Sequence, residues 1–139
     1  MGIEDLLILL GWITAISYSM AVSNYFVKYI NKKYISKLGE AHKEIIKRYR
    51  RIMKFIVKNH KWIGTIAILS LMVHVALAMR FNRIMLTGII SASLITAVFL
   101  LGLYGSYINK GHRGIWLKIH RILAFLLIIA VVIHIMDAS

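Results

Sequence analysis

The chain has no cysteine and no proline, and only five of its 139 residues are acidic. The lack of cysteine excludes disulfides and iron–sulfur clusters held by thiolates. The lack of proline means that nothing in the sequence predicts a sharply kinked helix. Because 18 residues are lysine or arginine, the formal net charge is +13. The position of these charges along the chain is informative.

Long apolar runs dominate what is present. Hydrophobic residues form 60% of the chain and the mean hydropathy is +0.75. A membrane-spanning helix needs about 20 residues and satisfies its own backbone polar groups. The sequence therefore predicts one all-α domain over residues 1–139, an integral membrane four-helix bundle, with spans at Ile3–Val27, Trp62–Met79, Ile84–Ile108 and Ile115–Ile135.

Basic residues fall mainly in two of the three connections. Twelve lie within residues 28–61 and four between spans three and four, whereas the connection between spans two and three has two. Basic residues in short loops stay on the cytoplasmic side. This predicts an up-down-up-down bundle in the cell membrane, with both termini outside. Residues 1–5 are acidic rather than basic, and the apolar run continues past the length of a signal peptide, which predicts an uncleaved first span. Topology accounts for the charge, and no nucleic-acid partner is expected.

Residues 40–58 within the first connection have a helical apolar stripe among basic residues. The stripe consists of Ile45, Ile46, Tyr49, Ile52, Met53 and Ile56. Together with a turn at Gly39, it predicts a basic amphipathic helical extension on the cytoplasmic side. The stripe would contact anionic lipid, the neighbouring residues Tyr34 and Leu38, or a partner subunit. Lipid or intramolecular contact is favoured.

Two histidine pairs have the same spacing. His60 lies just before the second span and His74 lies within it, whereas His120 and His134 both lie in the fourth span. Fourteen residues separate the members of each pair, which places them on nearly the same helix face, about 21 Å apart along the axis. Spans two and four run the same way in the predicted topology. We therefore expect His60 to pair with His120 near the cytoplasmic face, and His74 with His134 near the outer face.

Each expected pair suits one iron held by two neutral imidazoles. Covalent haem attachment needs a Cys-x-x-Cys-His motif. The pattern therefore predicts two non-covalent b-type haems, with the four histidines as axial ligands. Hydrogen-bonded packing and zinc binding are the alternatives, although the two pairs are too far apart to surround one zinc ion. His42 and His112 lie in basic segments, where solvated or lipid-facing roles are expected.

Small residues lie four positions inward from each histidine, on the same helix face. They are Gly64, Ser70, Ala124 and Ala130. They would leave room for a flat macrocycle, although small residues are also common at transmembrane helix interfaces. Basic residues at the span ends are candidate partners of haem propionates: Lys61, Lys118 and Arg121 at the inner site, and Arg80 and Arg83 at the outer site. Snorkelling to lipid headgroups is their alternative role.

Residues 58–137 resemble the four-helix dihaem membrane cytochromes b, which include the cytochrome b561 group and the transmembrane domain of ferric reductases. The features that carry the resemblance are the repeated histidine with thirteen intervening residues, His60-Lys61-Trp62-Ile63-Gly64, Thr87-Gly88 and Lys118-Ile119-His120-Arg121. The first span is similar in topology alone. The resemblance implies electron transfer from quinol, reduced nucleotides or ascorbate to acceptors across the membrane. Bacterial proteins of this kind oxidise superoxide or quinol, or anchor a catalytic subunit.

Nothing in the sequence resembles a nucleotide fingerprint, a flavin site or a soluble catalytic domain. The expected function is transmembrane electron transfer through two haems, with quinol, quinone or another redox protein as the exchange partner. The chain would act as an electron-transfer subunit or as a quinol- or superoxide-linked oxidoreductase. A non-redox membrane assembly or metal-binding subunit is the alternative. An ion or proton carrier is disfavoured because the spans have no acidic residue at mid-membrane depth.

Overall fold

The computed structural model of the chain describes residues 2–109 and 114–138. These two ranges contain helices and turns and no strand. The α-helices are α1 (Ile3–Lys33), α2 (Lys43–Arg80), α3 (Leu86–Leu103) and α4 (Ile115–Ala138). Short 3-10 turns at Ile35–Lys37 and Glu40–His42 connect α1 to α2, and a π-helical turn at Tyr104–Ile108 follows α3.

The described residues form four helical segments that are long and apolar enough to cross a membrane. The predicted all-α class and the number of membrane-length helices are therefore confirmed. Three basic-loop residues of the sequence analysis, Lys110, His112 and Arg113, lie outside the described residues.

The second helix is much longer than the span predicted for it. The amphipathic segment and the apolar span form one uninterrupted helix of 38 residues, about 57 Å long and nearly twice the thickness of a hydrocarbon core. Neither glycine nor proline occurs between Lys43 and Ile63, so nothing interrupts the helical hydrogen bonding there. The Tyr49 hydroxyl donates to the Val27 carbonyl at 2.8 Å, which packs the first part of α2 against α1.

The helices associate as two antiparallel pairs, α1 with α2 and α3 with α4. Within the first pair Ser70 of α2 donates to the Leu10 carbonyl of α1 at 3.0 Å, whereas Tyr49 near the opposite end of α2 meets Val27. Most of the close backbone approaches lie within these two pairs, with fewer between α2 and α3.

A central layer joins the two pairs. Its buried residues come from all four helices: Tyr18, Ala67, Ile68, Ile95 and Leu127. Leu127 is fully buried, and the Tyr18 hydroxyl donates to the Ala124 carbonyl across the two pairs. Ala67 and Leu127 each lie seven residues from both histidines of their helix. The tightest packing therefore lies halfway between the two predicted histidine levels.

The third helical segment departs from a regular α-helix near its end. The predicted span to Ile108 is α-helical to Leu103 and then π-helical. Gly105 lies in this π-helical turn, against the indole of Trp116, and a Cβ atom at Gly105 would lie 2.0 Å from the ring. The same indole abuts Gly114. Trp116 is thus held between two positions that have no side chain.

Replacing Gly105 with alanine should destabilise the bundle by about 1 to 3 kcal/mol, because the new methyl group overlaps a ring that is confined on both sides. The measurement is the unfolding free energy of the protein in detergent. Gly39→Ala is the matched control, since a Cβ atom there meets nothing within 4 Å. Equal stability of the two variants would contradict the packing described for Trp116.

Candidate histidine sites

The structure brings the four predicted histidines together in two pairs. The ring centroids of His60 and His120 are 6.5 Å apart, with an angle of 80° between the ring planes. The ring centroids of His74 and His134 are also 6.5 Å apart, at 81°. Each pair joins α2 to α4, and the two levels are separated by fourteen residues along both helices. The same geometry therefore occurs twice in one bundle.

The separation within each pair matches two imidazoles that share one metal. Because metal–imidazole bonds are about 2 Å long, two rings bound on opposite sides of a metal have centroids about 6 to 6.5 Å apart. A direct hydrogen bond between two Nε2 atoms would bring the centroids to about 5 Å. The observed separation of 6.5 Å is thus too long for a direct hydrogen bond between the two rings. It matches two rings bound to one metal ion.

Backbone carbonyls orient three of the four rings. The Nδ1–H groups of His60, His74 and His120 donate to the carbonyls of Ala21, Leu7 and Val98 at 3.1, 3.0 and 3.0 Å. A carbonyl can only accept, so the proton is on Nδ1 and the Nε2 lone pair is free. This is the tautomer that a metal-bound histidine adopts when its other nitrogen is hydrogen-bonded to the protein.

His134 obtains the same tautomer from a side chain instead. Its Nδ1 lies 3.2 Å from the Thr87 hydroxyl oxygen, and that hydroxyl lies 2.8 Å from Oδ2 of Asp137 and donates to it. Since the only hydroxyl proton is directed at the carboxylate, Thr87 accepts from the His134 Nδ1–H. The Nε2 atom of His134 is therefore also free to bind a metal.

Glycines on α1 and α3 allow close approach of three histidines. A Cβ atom on Gly11 would lie 3.4 Å from Cε1 of His74, one on Gly88 would lie 3.0 Å from Cε1 of His134, and one on Gly102 would lie 3.6 Å from Cε1 of His120. Gly11 lies four residues after Leu7, whose carbonyl accepts from His74. Gly102 lies four residues after Val98, whose carbonyl accepts from His120. A missing side chain one turn later leaves that carbonyl open to a neighbouring helix.

The predicted small residues have different surroundings. A Cβ atom at Gly64 would meet nothing within 4 Å, so space adjoins α2 one turn from His60. Ser70 instead contacts α1 through the Leu10 carbonyl. The Ala124 carbonyl accepts from Tyr18, and Ala130 lines an apolar groove between α3 and α4. Open space therefore adjoins Gly64 and Ala130, whereas Ser70 and Ala124 make hydrogen-bonded contacts with α1.

The predicted basic residues also differ in their contacts. The Lys61 ammonium lies 5.5 Å from the centre of the Tyr107 ring, and the Arg80 guanidinium lies 6.0 Å from that of Phe81. Lys118 is exposed. Arg83 pairs with Glu4 of α1. The three contacts and the exposure of Lys118 do not by themselves bring a cation to a histidine pair.

Arg121 is the predicted basic residue with an electrostatic link to a histidine pair. Its guanidinium lies 5.6 Å from the centre of the Tyr25 ring of α1, and its charge acts on His120. Lys28 lies about one turn beyond Tyr25, and its charge interacts electrostatically with Arg121 and with His60. Sequence reasoning missed Lys28 because it lies on α1, far along the chain from any histidine pair. Two cations are thereby gathered at the inner level, where an anionic group would be stabilised.

The set of donors favours a cofactor with ligands of its own. Over residues 2–109 and 114–138, no three or more histidine, cysteine, aspartate or glutamate side chains converge on one point. A protein zinc site uses three or four such ligands, whereas a haem iron needs protein ligands only in its two axial positions. Paired histidines therefore fit a haem better than a bare metal ion.

Replacing Gly88 with alanine should displace the His134 ring, because the new methyl group would lie 3.0 Å from Cε1. The measurement is the ring ¹⁵N spectrum of histidine-labelled protein in detergent, in which the His134 signals should shift. Gly102→Ala is the matched control, since its Cβ atom would make an ordinary 3.6 Å contact with His120. Unchanged His134 signals in Gly88→Ala would contradict the close approach of α3.

Comparisons of the chain with known proteins gave no match among family models, curated proteins or solved structures.

Proposed function

We propose that this chain is a transmembrane electron-transfer protein that carries two b-type haems. His60 and His120 would hold one haem, and His74 and His134 the other. When bound, the two haems supply one-electron redox chemistry at two depths in the bilayer. The observation that carries the proposal is the duplicated histidine pair, with its 6.5 Å centroid separation.

The protein's own contribution would be to fix ligand orientation and exclude water. The Nδ1 hydrogen bonds would keep each Nε2 lone pair available to a metal. Gly64 would leave space for the inner macrocycle, and Lys28 and Arg121 would neutralise its anionic propionates. The layer around Leu127 would separate the two sites with apolar side chains and keep the membrane interior dry.

The proposed topology follows from the charge distribution. Four antiparallel membrane helices would run up-down-up-down in the cell membrane, with residues 28–61 on the cytoplasmic side. The first part of α2 and the end of α1 would then project from the membrane as a basic cytoplasmic extension. Glu4, Asp5 and Asp137 would lie on the outer side, near His74 and His134.

Quinol or quinone, or another redox protein, is the proposed partner in electron exchange. The resemblance to dihaem membrane cytochromes b supports this choice, since those proteins exchange electrons with lipid-soluble or diffusible molecules. Each haem would take its two protein ligands from one histidine pair and would supply electron-transfer chemistry, with quinol, quinone or a redox protein as its exchange partner.

Removing one ligand from either level should remove one haem. Purified wild-type protein should contain two haems b per chain by the pyridine haemochrome assay, and His74→Ala and His134→Ala should each contain about one. The same loss is expected for His60→Ala and His120→Ala. His42→Ala is the control, because His42 is an exposed histidine in the turn before α2 and should leave both haems in place.

A well-folded wild-type protein without haem would contradict the proposal and favour the non-redox assembly or metal-binding role. Loss of both haems from every single variant, with retained folding, would contradict two separate sites.

Single cysteines should report the orientation, because the chain has none of its own. A membrane-impermeant maleimide added to intact cells should label Ala138→Cys, at the end of α4, and not Ser36→Cys, in the 3-10 turn between α1 and α2. Permeabilised cells should show labelling of both variants. The reverse pattern in intact cells would contradict the proposed orientation, and labelling of both would contradict the number of crossings.

A further inference from the structure

One of the four histidines differs from the others in what holds its ring. Within the described part of the chain, His60, His74 and His120 each donate to a neutral backbone carbonyl. His134 donates to a hydroxyl that in turn donates to the carboxylate of Asp137. The carboxylate of Asp137 is therefore connected to this one ring by two hydrogen bonds, with a single hydroxyl group between them.

The negative charge of Asp137 is not neutralised by an ion pair within residues 2–109 and 114–138. The two ion pairs there are Glu40 with Lys43 and Glu4 with Arg83. The field of Asp137 also acts directly on His134. The carboxylate is thus connected to the imidazole through the Thr87 hydroxyl group.

A carboxylate behind a ligating histidine makes that ligand more basic and its bond to the metal more electron-rich. A haem held by His74 and His134 would accept its electron near the negative charge of Asp137. The oxidised state is therefore stabilised relative to the reduced state. Within residues 2–109 and 114–138, the charged side chains that interact with the inner pair are cations, Lys28 and Arg121.

We infer that Thr87 and Asp137 are positioning residues that lower the reduction potential of the outer haem relative to the inner one. This inference rests on the proposed dihaem function. The difference in potential would favour movement of electrons from the outer level to the inner level. It also gives the Thr87-Gly88 pair a physical role, in which Thr87 polarises the ligand and Gly88 lets α3 approach it.

The test is a potentiometric titration of the haem-loaded full chain in nanodiscs, followed by visible absorption. The outer component is identified as the one that disappears in His74→Ala. Asp137→Asn keeps an acceptor for the Thr87 hydroxyl and removes the charge, and Thr87→Val keeps the shape and removes the connection. Each substitution should raise the reduction potential of the outer haem. At the midpoint potential of the wild-type outer haem, the ratio of oxidised to reduced outer haem should fall about tenfold, which corresponds to a shift of about 59 mV for one electron.

Three controls separate this effect from general disturbance. Thr87→Ser retains the hydroxyl and should restore the wild-type potential. Asp5→Asn removes an acidic charge near the start of α1, where the carboxylate accepts from the Gly2 amide, and should leave both potentials unchanged. The inner potential should stay constant in every variant. The low-spin electron paramagnetic resonance signals of the outer haem should change in Thr87→Val and should not change in Thr87→Ser.

The inference is overturned if Asp137→Asn shifts the outer potential no more than Asp5→Asn does, or if both potentials move equally. If Asp137→Asn does not fold, an unchanged reduction potential of the outer haem in Thr87→Val also overturns the inference. A folded wild-type protein without haem would overturn the proposed function and this inference together. A protein with two haems whose outer potential ignores Thr87 and Asp137 would overturn the inference alone.

Discussion

The hydrogen bond between a histidine Nδ1–H group and a neighbouring helix is the interaction on which the two sites depend. Without an acceptor, an imidazole in an apolar bundle would carry a buried and unsatisfied donor, which is destabilising by about 1 to 3 kcal/mol. Here α1 supplies acceptors to both histidines of α2, and α3 supplies them to both histidines of α4. The division into helix pairs is consistent with this, since each helix with two of these histidines packs against a helix that supplies their acceptors.

The buried apolar cluster lies between the two histidine levels. Leu127 and Ala67 occupy the midpoint of each fourteen-residue interval, and the Tyr18 hydroxyl joins the two helix pairs at that depth. This central attachment holds α2 and α4 together, with one histidine pair on either side of it.

The sequence predicted the number of membrane helices, and its histidine spacing predicted which side chains should lie close together. Both depend on periodicity along a single helix, which is visible in one chain. The continuity of α2 was not predicted, because its two halves differ in composition although no residue interrupts the helix between Lys43 and Ile63. The acceptors at Leu7, Ala21 and Val98 are backbone atoms and have no side-chain signature. A glycine four residues after an acceptor was the available signal at Gly11 and Gly102. The contact of Thr87 with Asp137 joins residues fifty positions apart, and only the packing of α3 on α4 reveals it.

The unbroken course of α2 from Lys43 to Arg80 has a mechanical consequence. A stiff rod transmits rotation and tilt along its whole length, and His60 and His74 belong to the same rod. A change of tilt or rotation at the basic end of α2 would therefore move His60 and His74 together. A change at one level without the other has to come from the helices that supply the hydrogen-bond acceptors. The two levels differ there on α3, where the outer acceptor is the Thr87 hydroxyl and the inner acceptor is the Val98 carbonyl.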